Sequence, residues 1–317
     1  MFPFPILLPV RGKAPYWKKT GQHLKGVDMR FEYIEAKTIS EAVSLLIKYD
    51  GKAKVIAGGT DLMVEMKRKQ IRPKYVIDLS FLTGLDYIDY EEKQVLKIGA
   101  MTTIRSLERS PIRRQGYSLI YEAAKQLASI TVRNRATLGG NLCNASPAAD
   151  MAPGLIALSA SAKIVGPDRE RIVLLEDFFT GPGTTVLESG ELLVEIQVPV
   201  PEPRTGGTYL KHTIRGSMDL AIVGAAAVIR LEPDMETCKD INLSLGAVAP
   251  TPIRLRRVED MMKGKKIHED LIIDSASLAV EESHPISDVR SSAEYRREMI
   301  NVFTRKAVRQ AFRFAKS

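Results

Sequence analysis

Residues 137–150 read TLGGNLCNASPAAD. Gly, Asn, Ser, Pro and Asp crowd into this stretch, which keeps neither helical nor strand periodicity. Helical patterns flank it, SLIYEAAKQLAS at 118–129 and APGLIALSA at 152–160. A related stretch, VIAGGTDL, stands far upstream at 55–62. Both set Gly-Gly beside threonine, with Asn or Asp just after. Neither fits the nucleotide loops G-x-G-x-x-G or G-x-x-x-x-G-K-[ST].

A strand running into Gly-Gly sets successive backbone N–H groups on the outside of a tight turn. With no Cβ in the way, those donors converge on an anion. Thr60 and Thr137 add hydroxyls, and Asn141 adds an amide. Neither loop holds a lysine, so an anion is met there by dipoles and hydrogen bonds. Two such loops suit the two halves of a pyrophosphate, as in a dinucleotide cofactor. Asp61 and Asp150 repel phosphate and suit sugar or ribityl hydroxyls instead. The plain alternative, a strand-ending turn, fits 55–62 alone better than it fits the pair.

Outward from these loops the chain alternates helical and strand signals. Thr38 and Glu41 have capping-box spacing, and Ile39, Ala42, Val43, Leu46 and Ile47 follow helical periodicity. AKVIAGG (53–59), KYVIDLS (74–80) and VLKIGAM (95–101) read as strands, as do AKIVG (162–166), RIVLL (171–175) and ELLVEIQVPV (191–200). PVPEPRTGG (199–207) reads as a linker. GTYLKHTIR (207–215), LAIVGAAAVIRLE (220–232) and INLSLGAV (241–248) then read as antiparallel strands. Helical segments close the chain, and on the last, Ala293, Met299, Ile300, Val302, Phe303, Ala307 and Phe312 trace one face. These patterns divide the chain into an extension (1–28), lobes at 29–83 and 84–203, and a C-terminal unit at 207–317.

The 317 residues are 44% hydrophobic and 26% charged, an ordinary globular composition. No window approaches the ~18 uninterrupted apolar residues of a membrane span. FPFPILLPV, near the start, lacks the basic n-region and the cleavage site of a signal peptide, and Met29 is the expected natural start. Cys143 and Cys238 are too few for an iron–sulfur cluster, and their sparseness suits a reducing cytoplasm. The histidines, His23, His212, His268 and His284, lack metal-ligand spacing. The net charge of +8 gathers at Arg254, Arg256 and Arg257, at Lys263, Lys265 and Lys266, and on the last helix. Interleaved acidic residues and the absence of any nucleic-acid motif point to solvated faces.

VIAGGTDL, TLGGNLCNASPAADMAPGLIAL, KHTIRGSMDLAIV and LGAVAPTPIR occur here in the order found in flavin-binding subunits of molybdenum hydroxylases. The chain resembles that family, which includes the medium subunits of carbon monoxide dehydrogenase and the FAD segment of xanthine dehydrogenase, over about residues 30–315. The resemblance implies an α+β fold. A vanillyl-alcohol-oxidase (PCMH) type FAD-binding domain of two α/β lobes precedes a C-terminal α+β domain. It also implies that Val55, Ile56, Ala57, Gly58, Gly59, Thr60, Asp61 and Leu62 form one pyrophosphate loop. Thr137, Leu138, Gly139, Gly140 and Asn141 form the other. Leu127 takes a place near the nucleotide end where related enzymes carry an aromatic. Asp150, Leu193 and Lys211 align with further flavin-contacting positions. Read without the resemblance, Leu193 is a strand-core leucine and Lys211 a surface lysine. Arg215 and Asp219 read as a structural bridge, and Phe178 and Phe179 as core packing or an approach to the flavin ring.

A subunit of this family carries electrons rather than hydroxylating a substrate. The resemblance implies a large partner with the molybdopterin cofactor and a small one with two [2Fe–2S] clusters, assembled as a dimer of heterotrimers in the cytoplasm. FAD then passes electrons to an acceptor such as NAD. The cysteine-bearing insertion of 4-hydroxybenzoyl-CoA reductases is absent from the sequence. The basic C-terminal clusters are a candidate docking face for partners. Two other readings stay open: a stand-alone reductase of the enolpyruvyl-UDP-N-acetylglucosamine reductase type, and a cofactor-free basic scaffold.

Overall fold

A computed structural model describes residues 31–91, 95–112, 116–216 and 218–317. The extension read at 1–28 lies outside the described residues.

The first elements are β1 (Glu32–Glu35), α1 (Ile39–Lys48), β2 (Ala53–Ile56), α2 (Leu62–Lys67) and β3 (Tyr75–Asp78). The three strands are parallel in the order β1-β3-β2, joined by helical crossovers. Thr38 caps α1, accepting from the Glu41 amide at 3.1 Å, a contact worth about 1 kcal/mol. Glu41 reaches back one residue further than a capping box requires, to the Lys37 amide at 2.9 Å.

A five-stranded antiparallel sheet follows, in the order β4-β5-β10-β6-β7. Its strands are β4 (Ile88–Glu91), β5 (Val95–Gly99), β6 (Ser161–Val165), β7 (Glu170–Leu174) and β10 (Leu192–Pro199). Between β5 and β6 run α3 (Ile104–Arg109), α4 (Ser118–Gln126), α5 (Ile130–Arg133), α6 (Leu138–Cys143) and α7 (Met151–Ala157). A small hairpin, β8 (Phe179–Gly181) with β9 (Thr184–Thr185), precedes β10. The consecutive apolar residues Leu192, Leu193 and Val194 at the start of β10 have a physical reason. Leu193, Ile196 and Val198 enter the helical core, whereas Leu192 and Val194 pack with Ala36, Val43 and Ile77 of the parallel-sheet layer. A strand buried on both faces needs no alternation.

The last part is a four-stranded antiparallel sheet in the order β11-β12-β13-β14: β11 (Thr205–His212), β12 (Val223–Leu231), β13 (Cys238–Gly246) and β14 (Ile253–Arg254). It packs with α8 (Arg256–Met262), α9 (Glu269–Glu282) and α10 (Ala293–Ala315). The expected linker shrinks here, because Gly206 and Gly207 belong to β11. A Cβ at Gly206 would stand 2.1 Å from the Ala315 amide nitrogen, so this glycine admits a helix backbone rather than breaking a strand.

The buried stripe of α10 also differs from the expected one. It comprises Arg296, Ile300, Thr304, Ala307, Val308, Ala311 and Ala315, with Met299, Phe303 and Phe312 only partly covered. Apolar patterning passes over Arg296. Its guanidinium is buried because it donates to the carbonyls of Ile222 (2.7 Å) and Ala247 (3.0 Å) and pairs with Asp288 (2.9 Å).

Five residues of the basic clusters have acidic partners within the chain. Arg254 pairs with Glu259 (2.8 Å), Arg256 with Glu176 (2.5 Å), Arg257 with Glu281 (3.3 Å), Lys263 with Asp240 (2.8 Å) and Lys266 with Glu236 (3.0 Å). Of the three arginines read as a docking face, Arg254 is largely buried, whereas Arg256 and Arg257 keep more than half of their side chains exposed. Among the described residues no helix is long and apolar enough to cross a membrane.

Candidate functional site

A cleft of about 720 Å³ opens where the C-terminal end of β2 meets α5 and α6, a size that suits a cofactor. Residues 55–62 all line it, as do Leu127, Thr137, Gly139, Gly140, Asn141, Asp150 and Leu193. Met218, Asp219 and Leu220, from the turn between β11 and β12, complete the wall. Two expected residues stand behind that wall. Leu138 is wholly buried in the helical core. The side chain of Lys211 is only 4% exposed, so it is not a surface lysine.

The Gly-Gly stretches meet through their main chains. A Cβ at Gly58 would lie 2.0 Å from the Arg135 carbonyl oxygen, and one at Gly139 would lie 2.8 Å from the Ala100 oxygen. Gly58 thus lets the first loop rest on the turn leading into the second, and Gly139 seats the second on the end of β5.

The loops differ in what their amides do. The 137–141 stretch is not a strand-ending nest, because Leu138 opens α6. The Leu138 amide donates to the Thr102 carbonyl (2.9 Å), Gly139 to the Ala100 carbonyl (2.8 Å), and Asn141 to the Thr137 carbonyl (3.0 Å). The Gly140 amide donates to the Thr137 hydroxyl at 3.0 Å, so that hydroxyl serves as an N-cap. By contrast, no hydrogen bond among the described residues takes the amides of Gly58, Gly59, Thr60 or Asp61. Gly59 holds φ at +72°, the left-handed region that glycine adopts freely.

Charge in the wall is mostly acidic. Lys54 is the one cation among the described lining residues, against Asp61, Glu65, Asp150, Glu191 and Asp219. Arg171 holds Glu191 at 2.6 Å and keeps its carboxyl below the usual range. Arg215 bridges Asp219 at 3.2 Å, as its spacing suggested. Burial pushes the Asp150 carboxyl up, opposed by Lys211 at 2.9 Å and the Tyr209 hydroxyl at 3.0 Å. Burial also pushes the Cys143 thiol, which lines the cleft, up to about 12. Both cysteines are free.

Phe178 and Phe179 pack edge to face, 5.3 Å between ring centres, and neither reaches the cleft. Sequence reading missed Arg133, a 7%-exposed residue that donates to the carbonyls of Leu127 (2.8 Å) and Ala128 (3.2 Å). It fixes the turn carrying Leu127, where Ala128 sits at φ +42°. Nothing in a lone arginine at 133 signals that role. Tyr209 was legible in principle, since strand alternation sets it on the same face as Lys211.

The donor set fits an extended dinucleotide. Open amides on one loop suit a phosphate, and Asn141, which lines the cleft, has a buried Oδ1 with no partner among the described residues. Comparison with known proteins agrees. A family described as the FAD binding domain in molybdopterin dehydrogenase matches residues 29–201, and the CO dehydrogenase flavoprotein C-terminal domain matches residues 208–311. The glyceraldehyde dehydrogenase medium chain of Sulfolobus acidocaldarius is 34% identical over 280 residues, spanning 88% of this chain and 98% of that one. The carbon monoxide dehydrogenase medium chain of Hydrogenophaga pseudoflava is 35% identical over 283 residues, 89% of this chain and 97% of its own. A solved carbon monoxide dehydrogenase from Hydrogenophaga pseudoflava, lacking the Mo-pyranopterin moiety, superposes with a TM-score of 0.86 at 35% identity over 90% of this chain and 98% of that one. The chain belongs to the FAD-binding, medium-subunit family of the molybdenum hydroxylases, and its α+β fold is that of an FAD-dependent oxidoreductase subunit.

Proposed function

We propose that this chain holds FAD along the cleft and relays electrons from [2Fe–2S] clusters of a small partner subunit to an acceptor such as NAD. A large partner subunit holds the molybdenum cofactor, where substrate is oxidised, and the assembly is a cytoplasmic dimer of heterotrimers. The lobes at 29–83 and 84–203 supply the cleft, and the unit at 207–317 closes one side. The observation that carries this reading is the row of open amides at Gly58, Gly59, Thr60 and Asp61, facing a cleft with a single lysine in its wall. Bound FAD would supply exchange between one-electron clusters and a two-electron acceptor.

The chain's own residues bind and orient. The first loop receives the pyrophosphate on its amides, and Asn141 accepts from a hydroxyl or amine. Leu127 and Leu193 pack on apolar surface of the cofactor. Asp61 stands at the rim, where it suits sugar hydroxyls. Leu138 and Lys211 act through their neighbours, Leu138 by anchoring α6 in the core and Lys211 by holding Asp150.

The test is direct. The purified chain should bind one FAD and show a flavin absorption spectrum, and it should oxidise NADH with an artificial acceptor only slowly without partner subunits. Absence of flavin binding overturns the reading. Rapid NADH-dependent reduction of a small substrate by the isolated chain favours a stand-alone reductase instead.

A further inference from the structure

Asp150 stands at the N-terminus of α7 yet makes no side-chain hydrogen bond to that helix. An aspartate at that position ordinarily caps its own helix. Here both carboxylate oxygens are held from another sheet. Tyr209 donates to Oδ1 at 3.0 Å, and Lys211 donates to Oδ2 at 2.9 Å and to the Gln126 carbonyl at 3.2 Å. Asp150 lines the cleft, whereas Tyr209, 1% exposed, does not.

The strand carrying Tyr209 is itself clamped. Glu122, on α4, accepts from the Tyr209 amide at 2.9 Å and from the Thr208 hydroxyl at 3.3 Å. Two glycines of the C-terminal sheet make the approach possible. A Cβ at Gly224 would stand 3.0 Å from the Tyr209 hydroxyl oxygen, and one at Gly246, its partner across β12 and β13, would stand 2.7 Å from Pro153 Cγ. Close by, the Ala247 amide donates to the Pro147 carbonyl at 2.7 Å. The 147–153 segment therefore packs on the sheet where Gly246 carries no side chain, with Asp150 held by Tyr209 and Lys211.

Building on the FAD reading above, we infer that Tyr209 is a positioning residue: seated by Gly224, it fixes the Asp150 carboxylate in the cleft wall. Tight FAD retention thereby requires the C-terminal sheet to be docked. The titratable groups facing Asp150 are Lys211 and Tyr209 from β11, with Glu122 of α4 on the far side of the Tyr209 amide. Loss of the phenol hydroxyl removes one of the two donors that favour the carboxylate form, against the burial that opposes it.

The experiment is a double-mutant cycle on the full chain stripped of flavin. FAD affinity is titrated by fluorescence quenching across pH for the wild type, Tyr209→Phe, Asp150→Asn and the double variant. Y209F should weaken FAD about tenfold in the wild-type background, the scale of a hydrogen bond to a charged group. It should change affinity by less than about twofold when Asp150 is already Asn. The acid limb of the affinity profile should move to higher pH in Y209F and vanish in D150N. Equal loss in both backgrounds, or wild-type affinity in Y209F, overturns the inference while leaving the FAD reading intact. A wild-type chain that binds no FAD overturns both. Should Y209F fail to fold, Gly224→Ala displaces the hydroxyl from the opposite side, and the same cycle decides by the same outcomes.

Discussion

The two Gly-Gly stretches look alike in sequence and do different work in the fold. The first, at 57–60, ends a parallel strand and leaves its amides without partners among the described residues. The second, at 138–141, is the first turn of a helix whose early amides are already taken by Thr102, Ala100 and Thr137. A glycine pair thus does not specify an anion nest. The element that follows decides whether its N–H groups face a ligand or the chain. In the second stretch the glycines serve close packing, and Asn141 is left to face the cleft.

That contrast can be broken most forcefully at Gly58. Gly58→Ala drives a Cβ into the Arg135 carbonyl, a main-chain atom with no rotamer to yield. Overpacking of this kind should cost about 3 kcal/mol and abolish FAD retention at the same time. Thermal unfolding of the flavin-free variant, with FAD titration alongside, reads both; an unchanged Tm would mean that the loops are not in contact.

Gly59→Val tests the open amides themselves. At φ +72° a branched side chain costs about 1–2 kcal/mol, and it also crowds the approach of a phosphate. The variant should fold yet bind FAD at least about tenfold more weakly, the loss of a charge-assisted contact. Stoichiometric FAD at wild-type affinity would remove the phosphate from the first loop.

Asn141→Ala sharpens the other side of the contrast. Because its Oδ1 has no protein partner among the described residues, its removal should leave flavin-free stability unchanged. Affinity should fall about fivefold, the scale of one neutral hydrogen bond, in an isothermal titration.

The smallest change in affinity is expected from Thr137→Ala. Loss of the cap on the Gly140 amide should cost about 1 kcal/mol of stability, measured by denaturant unfolding, with FAD affinity within about twofold of wild type. If T137A instead harmed FAD binding as much as G59V while stability held, the assignment of amides to the two loops would be reversed.

Much of the architecture was legible. The α1 cap follows from capping-box spacing, and strands around 53–59 and 74–80 and the antiparallel run from 207 follow from local pattern; each is present. What failed did so for physical reasons. Gly206 and Gly207 read as a linker because glycine discourages a strand, yet α10 crowds Gly206 and Leu119 of α4 crowds Gly207 so closely that a side chain does not fit. Arg296 escapes an apolar pattern because charge prefers water, yet two carbonyls and Asp288 satisfy it in the core. Lys211 could not be told from a surface lysine, since its partners Asp150 and Gln126 lie 61 and 85 positions away along the chain.

The sequence by itself determined several of the helices and strands, the order of the motifs and, through the resemblance they carry, the family and its flavin. These depend on neighbouring residues and on short motifs, which a linear chain displays. Only the tertiary structure decided which loop keeps free amides, why Gly58 and Gly224 must lack a side chain, and that the Asp150 carboxylate is held from the C-terminal sheet. Hydrogen-bond satisfaction and close backbone approach are pairwise properties of distant residues, and they exist only once the chain has brought its sheets together.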